Sequence, residues 1–307
     1  MKTISNDLVT VTVEDHGAEM SSIRCGGREY LWGAYPEFWK RHSPVLFPIV
    51  GSVWNGEYRS KGQTYKMGQH GFARDMDFVN VNLNSNDNEA WYELRSNEET
   101  QQKYPYPFVL RIGYRLHDKT IDVCWEVENP SDQEIAFQIG AHPAFYWPML
   151  SNETIEGGVE AMNKRLAQDK ERGYFLFEPA VSELKRSRIT EGGCVDPAAS
   201  TIVKTDEGYL ALSTDTFSTD ALVIENSQVK AVTLCDNEKR PYLTLKFDAP
   251  LVGLWSSPGK NAPFVCIEPW YGRCDRVHYD GTYEEKEWVN RLAPHKTFSV
   301  KYEIIIE

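Results

Sequence analysis

Residues 121–127 read IDVCWEV, and their alternation decides the fold. Ile121, Val123, Trp125 and Val127 are apolar, with Asp122, Cys124 and Glu126 between them. Successive side chains of a strand point to opposite faces, so the pattern predicts a half-buried strand with one core face and one wet face. The C-terminal KTFSVKYEIIIE, 296–307, repeats it with Phe298, Val300, Tyr302 and Ile304. Turn signals recur along the chain: CGGRE (25–29), SKGQT (60–64), NSNDNE (84–89), ENPSDQ (128–133), TDEG (205–208) and DNEKRP (236–241). Short strands joined by polar turns, without strand–helix alternation, predict an all-β antiparallel sandwich or barrel. Helical patterning is confined to short stretches at 36–41, 98–103 and 283–291. Residues 151–200 are the least regular and are predicted to run as an excursion over the surface. No linker or low-complexity tract cuts the chain, so 1–307 is read as one large β domain.

The 307 residues include 41% hydrophobic ones, enough for a substantial core. The formal net charge of −12 opposes a nucleic-acid backbone or an anionic membrane as partner. No apolar run matches a signal peptide or a membrane span, which predicts a cytoplasmic protein. The six cysteines are widely spaced with no C-x-x-C pair, and free thiols are expected. Cys266, Cys274 and His278 match no metal-ligand spacing, and no metal is expected.

Three stretches carry chemistry. In GAHPAFYWP, 140–148, strand parity places Gln138, Gly140 and His142 on one face and Phe137 and Ile139 on the other. His142 thus shares a polar face with a glycine gap, as a ligand groove has, and Pro143 stops the ladder beyond it. A histidine satisfied within a turn is the competing reading. In APFVCIEPWYG, 262–272, Phe264 to Ile267 is apolar on both faces, as in a central strand, and Glu268 follows immediately. A carboxylate desolvated there has a raised pKa, suited to general-base work near neutrality; an exposed strand-end glutamate is the alternative. In QHGFARD, 69–75, His70 and Arg74 flank a Gly-Phe pair and could grip a hydroxylated or anionic ligand; a structural turn with a surface arginine is the competing reading, and for a lone H-G-F the favoured one. Trp147 and Trp270 follow the two polar candidates, and such rings stack on apolar sugar faces. No phosphate-binding G-x-x-x-x-G-K-[ST] loop or G-x-S-x-G elbow is present. A glycosidase would need a second carboxylate beside Glu268, with Asp220 or Asp275 as candidates.

Taken in order, SPVLFPIVG, HGFAR, GAHPAFYWP, DALV, LWS and PFVCIEPWYG resemble the aldose 1-epimerase (galactose mutarotase-like) family, in particular its LacX-like branch. The resemblance spans roughly residues 43–275. It implies a β-supersandwich with a sugar site on a concave face, and interconversion of α and β anomers by ring opening and closure, without cofactor. It makes Glu268 the base and His142 the acid, with roles reversed on closure. His70, Arg74 and Asp220 would bind the sugar. The family's arginine after the PxxG segment is missing from GSVWNGEY, where Ser52 stands and the next arginine is Arg59. A hexose-6-phosphate 1-epimerase and a carbohydrate-binding protein without turnover are the alternatives, with a sugar or sugar phosphate as partner to a monomer or homodimer.

Overall fold

The computed structural model describes residues 1–81 and 87–307. The first part of the NSNDNE turn, 84–86, lies outside the described residues. The fold is mostly β, built around two large antiparallel sheets. The nine-stranded sheet runs Tyr209–Ser213, Glu171–Glu178, Ala231–Cys235, Pro241–Phe247, Thr297–Ile306, Thr120–Glu128, Val109–His117, Glu89–Arg95 and Val79–Asn80. The IDVCWEV segment lies in Thr120–Glu128, paired with the C-terminal strand through Val123↔Tyr302 and Trp125↔Val300. The eight-stranded sheet runs Val195–Lys204, Glu183–Ile189, Leu222–Ile224, Leu251–Trp255, Phe264–Tyr271, Ile139–Ala141 and Val45–Leu46. Ala144–Tyr146 also pairs with Phe264–Tyr271.

The sheets pack through apolar inner faces. Trp125 and Phe298 of the first sheet meet Tyr271 of the second, with ring centroids 6.4 and 5.4 Å apart. Val252, Leu254, Val265 and Ile267 belong to the same buried core. The eight-stranded sheet has a second, smaller apolar cluster, Leu46, Val50, Ala221, Val223, Leu251 and Trp270. Val223 and Ile224 fall in different clusters, as adjacent residues of a strand buried on both faces must.

Helix is sparse, and its placement corrects three expectations. Glu98–Lys103 is helical, with Asn97 and Thr100 forming a reciprocal N-terminal cap. Residues 36–41 instead form a turn, in which Phe38 and Trp39 both donate backbone N–H groups to Tyr35 O. In 283–291 only Tyr283–Glu285 is helical. Trp288 then takes φ 61°, and Asn290–Leu292 pairs with Ile135–Phe137. Residues 151–200 are no irregular excursion. They hold the helices Asn152–Glu156 and Gly158–Leu166 and most of three strands in the two large sheets. Ser151 Oγ accepts from Thr154 N to cap the first helix, and Met162 and Leu166 seat the second in the core. With only two buried residues in nine, that helix has little apolar periodicity to announce it.

Candidate active site

The central strand Phe264–Tyr271 holds the site together. One side of it pairs with Ile139–Ala141 through Gly140↔Trp270, and then with Ala144–Tyr146 through Ala144↔Cys266. Counting two residues inward from either pair sets His142 opposite Glu268, so the register is continuous across the break. The ladder breaks there because Pro143 and Pro269, one on each strand, have no N–H to donate. Opposed residues of an antiparallel pair have neighbouring side chains. His142 Nε2 accordingly lies 3.3 Å from Glu268 Oε2, with the two side chains 9% and 1% exposed.

These residues open onto a cavity of about 510 Å³ on the outer face of the eight-stranded sheet, within the usual range for small-molecule sites. His70, Arg74 and Asp220 line it with His142 and Glu268. The His70 ring is 5.5 Å from that of His142, edge to face, and its Nδ1 accepts from Gly51 N at 3.0 Å. Neutral His70 therefore carries its hydrogen on Nε2. Its loop is held by Gly71, whose φ is +71° and where a Cβ would lie 2.2 Å from Phe47 O. Gly71→Ala is expected to destabilise the chain by at least about 2 kcal/mol, read as a fall in the urea midpoint.

Trp147 is a correction. It does not line this cavity; it is buried, and its Nε1–H donates to Ala262 O at 2.8 Å. The odd offset of five from His142 turns it away, and an indole N–H buried in the core takes a backbone carbonyl as partner. The aromatic walls are Trp39, Trp255 and Trp270. Trp39 lies 4.7 Å from the His142 ring at an interplanar angle of 30°, and Trp255 meets it edge-on at 5.4 Å. Trp255 stands in LWS; nothing in the sequence around Trp39 singled it out. The glycine gap is also filled by protein. Cβ atoms on Gly140 and Gly253 would come within 2.7 and 2.4 Å of the Trp270 ring, so the two glycines seat that indole between strands. Gln138 is spent on structure, accepting from Val50 N and donating to Arg273 O.

The two carboxylate candidates separate. Asp220 lines the cavity with φ 128°, its Oδ1 accepting from Ala221 N. Asp275 faces a different cavity, where it pairs with Lys286 Nζ at 2.9 Å and accepts from Trp54 N. Arg59 also lies in that second cavity, bonded to Gly281 O. The cations beside His142 are Lys40, Arg41 and Arg74, the first two outside every motif quoted above. Arg41 bonds Asp75 Oδ1 at 2.7 Å, and Arg74 donates to Gln69 O at 2.7 Å.

Burial governs protonation. Desolvation, reinforced by the Asp220 charge, holds the Glu268 carboxyl well above the usual carboxylate range. Desolvation, with the Arg74 guanidinium, pushes His142 down to about 3. His70 is lowered by burial and by His142. Burial thus favours the uncharged forms, a protonated Glu268 carboxyl beside a neutral His142 imidazole.

The aldose 1-epimerase family profile matches residues 1–279, and the chain belongs to that family. It is 30% identical to the chromosomal LacX protein of Lactococcus lactis subsp. lactis over 312 residues, covering 99% of this chain and 98% of that one. It resembles the solved structure of a galactose mutarotase related enzyme from Lactobacillus acidophilus, with TM-score 0.87 and 36% identity over 99% of this chain and 96% of that one. A galactose mutarotase-like protein from Lactobacillus casei gives TM-score 0.86 and 27% identity over the full length of both. No helix among the described residues is long and apolar enough to cross a membrane.

Proposed function

We propose that the chain is an aldose 1-epimerase that interconverts the α and β anomers of a hexose at the His142–Glu268 pair. The observation that carries this reading is the pair itself: cross-strand partners 3.3 Å apart at a tryptophan-lined cavity. Anomer exchange needs one group to take the proton from the C1 hydroxyl and another to protonate the ring oxygen as the C1–O5 bond breaks. Transfer of the resting proton from Glu268 to His142 makes Glu268 the base and His142 the acid, the roles that the family resemblance implies. The open-chain aldehyde rotates about C1–C2, and closure on the other face returns both protons. Asp220 strengthens Glu268 as a base by opposing its ionisation. His70, through its Nε2–H, and Arg74 would donate to sugar oxygens, and the indoles would offer faces to the ring's C–H surface.

Polarimetry of a freshly dissolved single anomer, or NMR exchange between anomers, tests the reading on a panel of free aldoses and their 6-phosphates. Acceleration on at least one member is the expected result. Binding without acceleration across the whole panel would favour a sugar-binding protein instead. The Lys40, Arg41 and Arg74 wall favours a phosphorylated hexose as a second reading of the substrate. Under it, Lys40→Ala should raise KM by about 5-fold for the phosphorylated sugar and less for the free one, the scale of a partly solvated ion pair, and added salt should narrow the difference. An equal change on both substrates would remove that reading.

A further inference from the structure

We propose that Cys266 completes, with His142 and Glu268, a three-ligand site for a thiophilic divalent cation of the zinc type. The ligand atoms of the three side chains lie within 4.8 Å of one another, and all three residues are buried. Their convergence follows from the register. Cys266 and Glu268 are two residues apart on the central strand and so share its outer face. His142 stands opposite Glu268, and Ala144, opposite Cys266, is too small to intervene.

Zinc bound tetrahedrally, about 2.0–2.3 Å from each ligand, sets its ligand atoms roughly 3.3–3.7 Å apart. The His142 Nε2–Glu268 Oε2 distance of 3.3 Å already matches, and a side-chain adjustment of about 1 Å closes the rest. A second observation points the same way. Glu268 Oε2 is buried without a hydrogen-bond partner, so a lone pair that would bind an ion is not spent within the protein. Thiolate with imidazole selects zinc or its neighbours over magnesium or calcium, which prefer all-oxygen shells. The fourth position faces the cavity, where a water or a sugar hydroxyl would sit. On binding, the Cys266 thiol gives up its proton and the proton held by the acid–base pair is displaced, both to the buffer. The acid–base chemistry has no use for Cys266, so the site adds something to the cavity: an ion there would stop turnover. Ion binding stands independently of the proposed activity, and only that inhibition rests on it.

Cobalt(II) titrated into the metal-free chain is the direct probe. The expected result is saturable one-to-one binding, with a thiolate-to-cobalt charge-transfer band in the near ultraviolet and intense visible bands of a tetrahedral ion, all bleached by zinc. Cys266→Ser should abolish the charge-transfer band and weaken zinc binding by more than the roughly 10–100-fold typical of losing an outer-sphere partner. Cys25→Ser, far from the site in sequence and on the N-terminal sheet, should leave both unchanged. Should Cys266→Ser fail to fold by far-UV circular dichroism, Glu268→Gln serves instead: it should weaken binding while keeping the thiolate band at saturating metal. Cobalt binding without a thiolate band, unchanged zinc affinity in either variant, or no binding at micromolar metal would overturn the proposal.

Discussion

Glu268→Gln is expected to slow anomer interconversion by about 10²–10⁴-fold, the usual contribution of a positioned acid or base, with the fold intact. The amide reproduces the shape of the protonated carboxyl that burial favours at this position, and cannot shuttle a proton. Because His142 lies in register with Glu268, the variant leaves an imidazole with no partner to exchange protons with. Stability gives a second readout with a definite sign. A carboxyl whose folded pKa is raised contributes stability that is fully present below its unfolded value near 4.5 and is lost as pH rises through the folded value. Over that window wild type should lose up to about 1.4 kcal/mol per pH unit that the glutamine variant does not lose. The glutamine chain should therefore become the more stable of the two as pH rises above about 4.5. Polarimetry and urea titrations at several pH values check both parts. An undiminished exchange rate in Glu268→Gln would sink the assignment of Glu268 as the proton-transfer group.

The second large effect is expected away from the chemistry. Lys286 and Asp275 face each other at 2.9 Å, with each side chain 3% exposed. Lys286→Met should cost about 3–5 kcal/mol, because it strands a carboxylate in the interior, where among the described residues the Trp54 N–H is its hydrogen-bond donor. The urea midpoint should fall with the slope unchanged. Adding Asp275→Asn should recover much of the loss, since the neutral amide oxygen still accepts from Trp54 N and no buried charge is left. A single variant within about 1 kcal/mol of wild type, where exposed ion pairs fall, would mean that solvent reaches the pair. The pair matters for the candidate site because Cys274, next to Asp275, lines the His142–Glu268 cavity, and Asp275 N donates to Ser52 O beside Gly51, another cavity residue.

Much of the candidate site was legible in the sequence because it is local. The H-P step at 142–143, just past a strand, and the E-P step at 268–269, inside the central strand rather than at its end, each mark a place where the backbone donor is missing beside a polar side chain. His70 shares that legibility through the left-handed loop that Gly71 permits. Trp147 was misread for a physical reason. Proximity in sequence to His142 does not set the face: the odd offset of five turns the ring away from the cavity, and the indole N–H found its partner at Ala262 O. The helices at 152–166 escaped notice because few of their residues are buried. The predicted helix at 36–41 failed because a single backbone acceptor at Tyr35 closes a turn there and no continuing ladder follows.

By itself the sequence determined the strand character of segments such as 121–127 and 297–306, the family, and the residue types available for acid–base chemistry, since alternation and motifs are properties of neighbouring residues. Only the tertiary structure decided that residues 142 and 268 stand opposite each other in register, that Trp270 fills the glycine gap, and that Lys40 and Arg41 join Arg74 in the cavity. It also sent Asp220 to the cavity and Asp275 to Lys286. These depend on strand register and on which loops fold over one sheet face, contacts between residues far apart in the chain that no local pattern encodes.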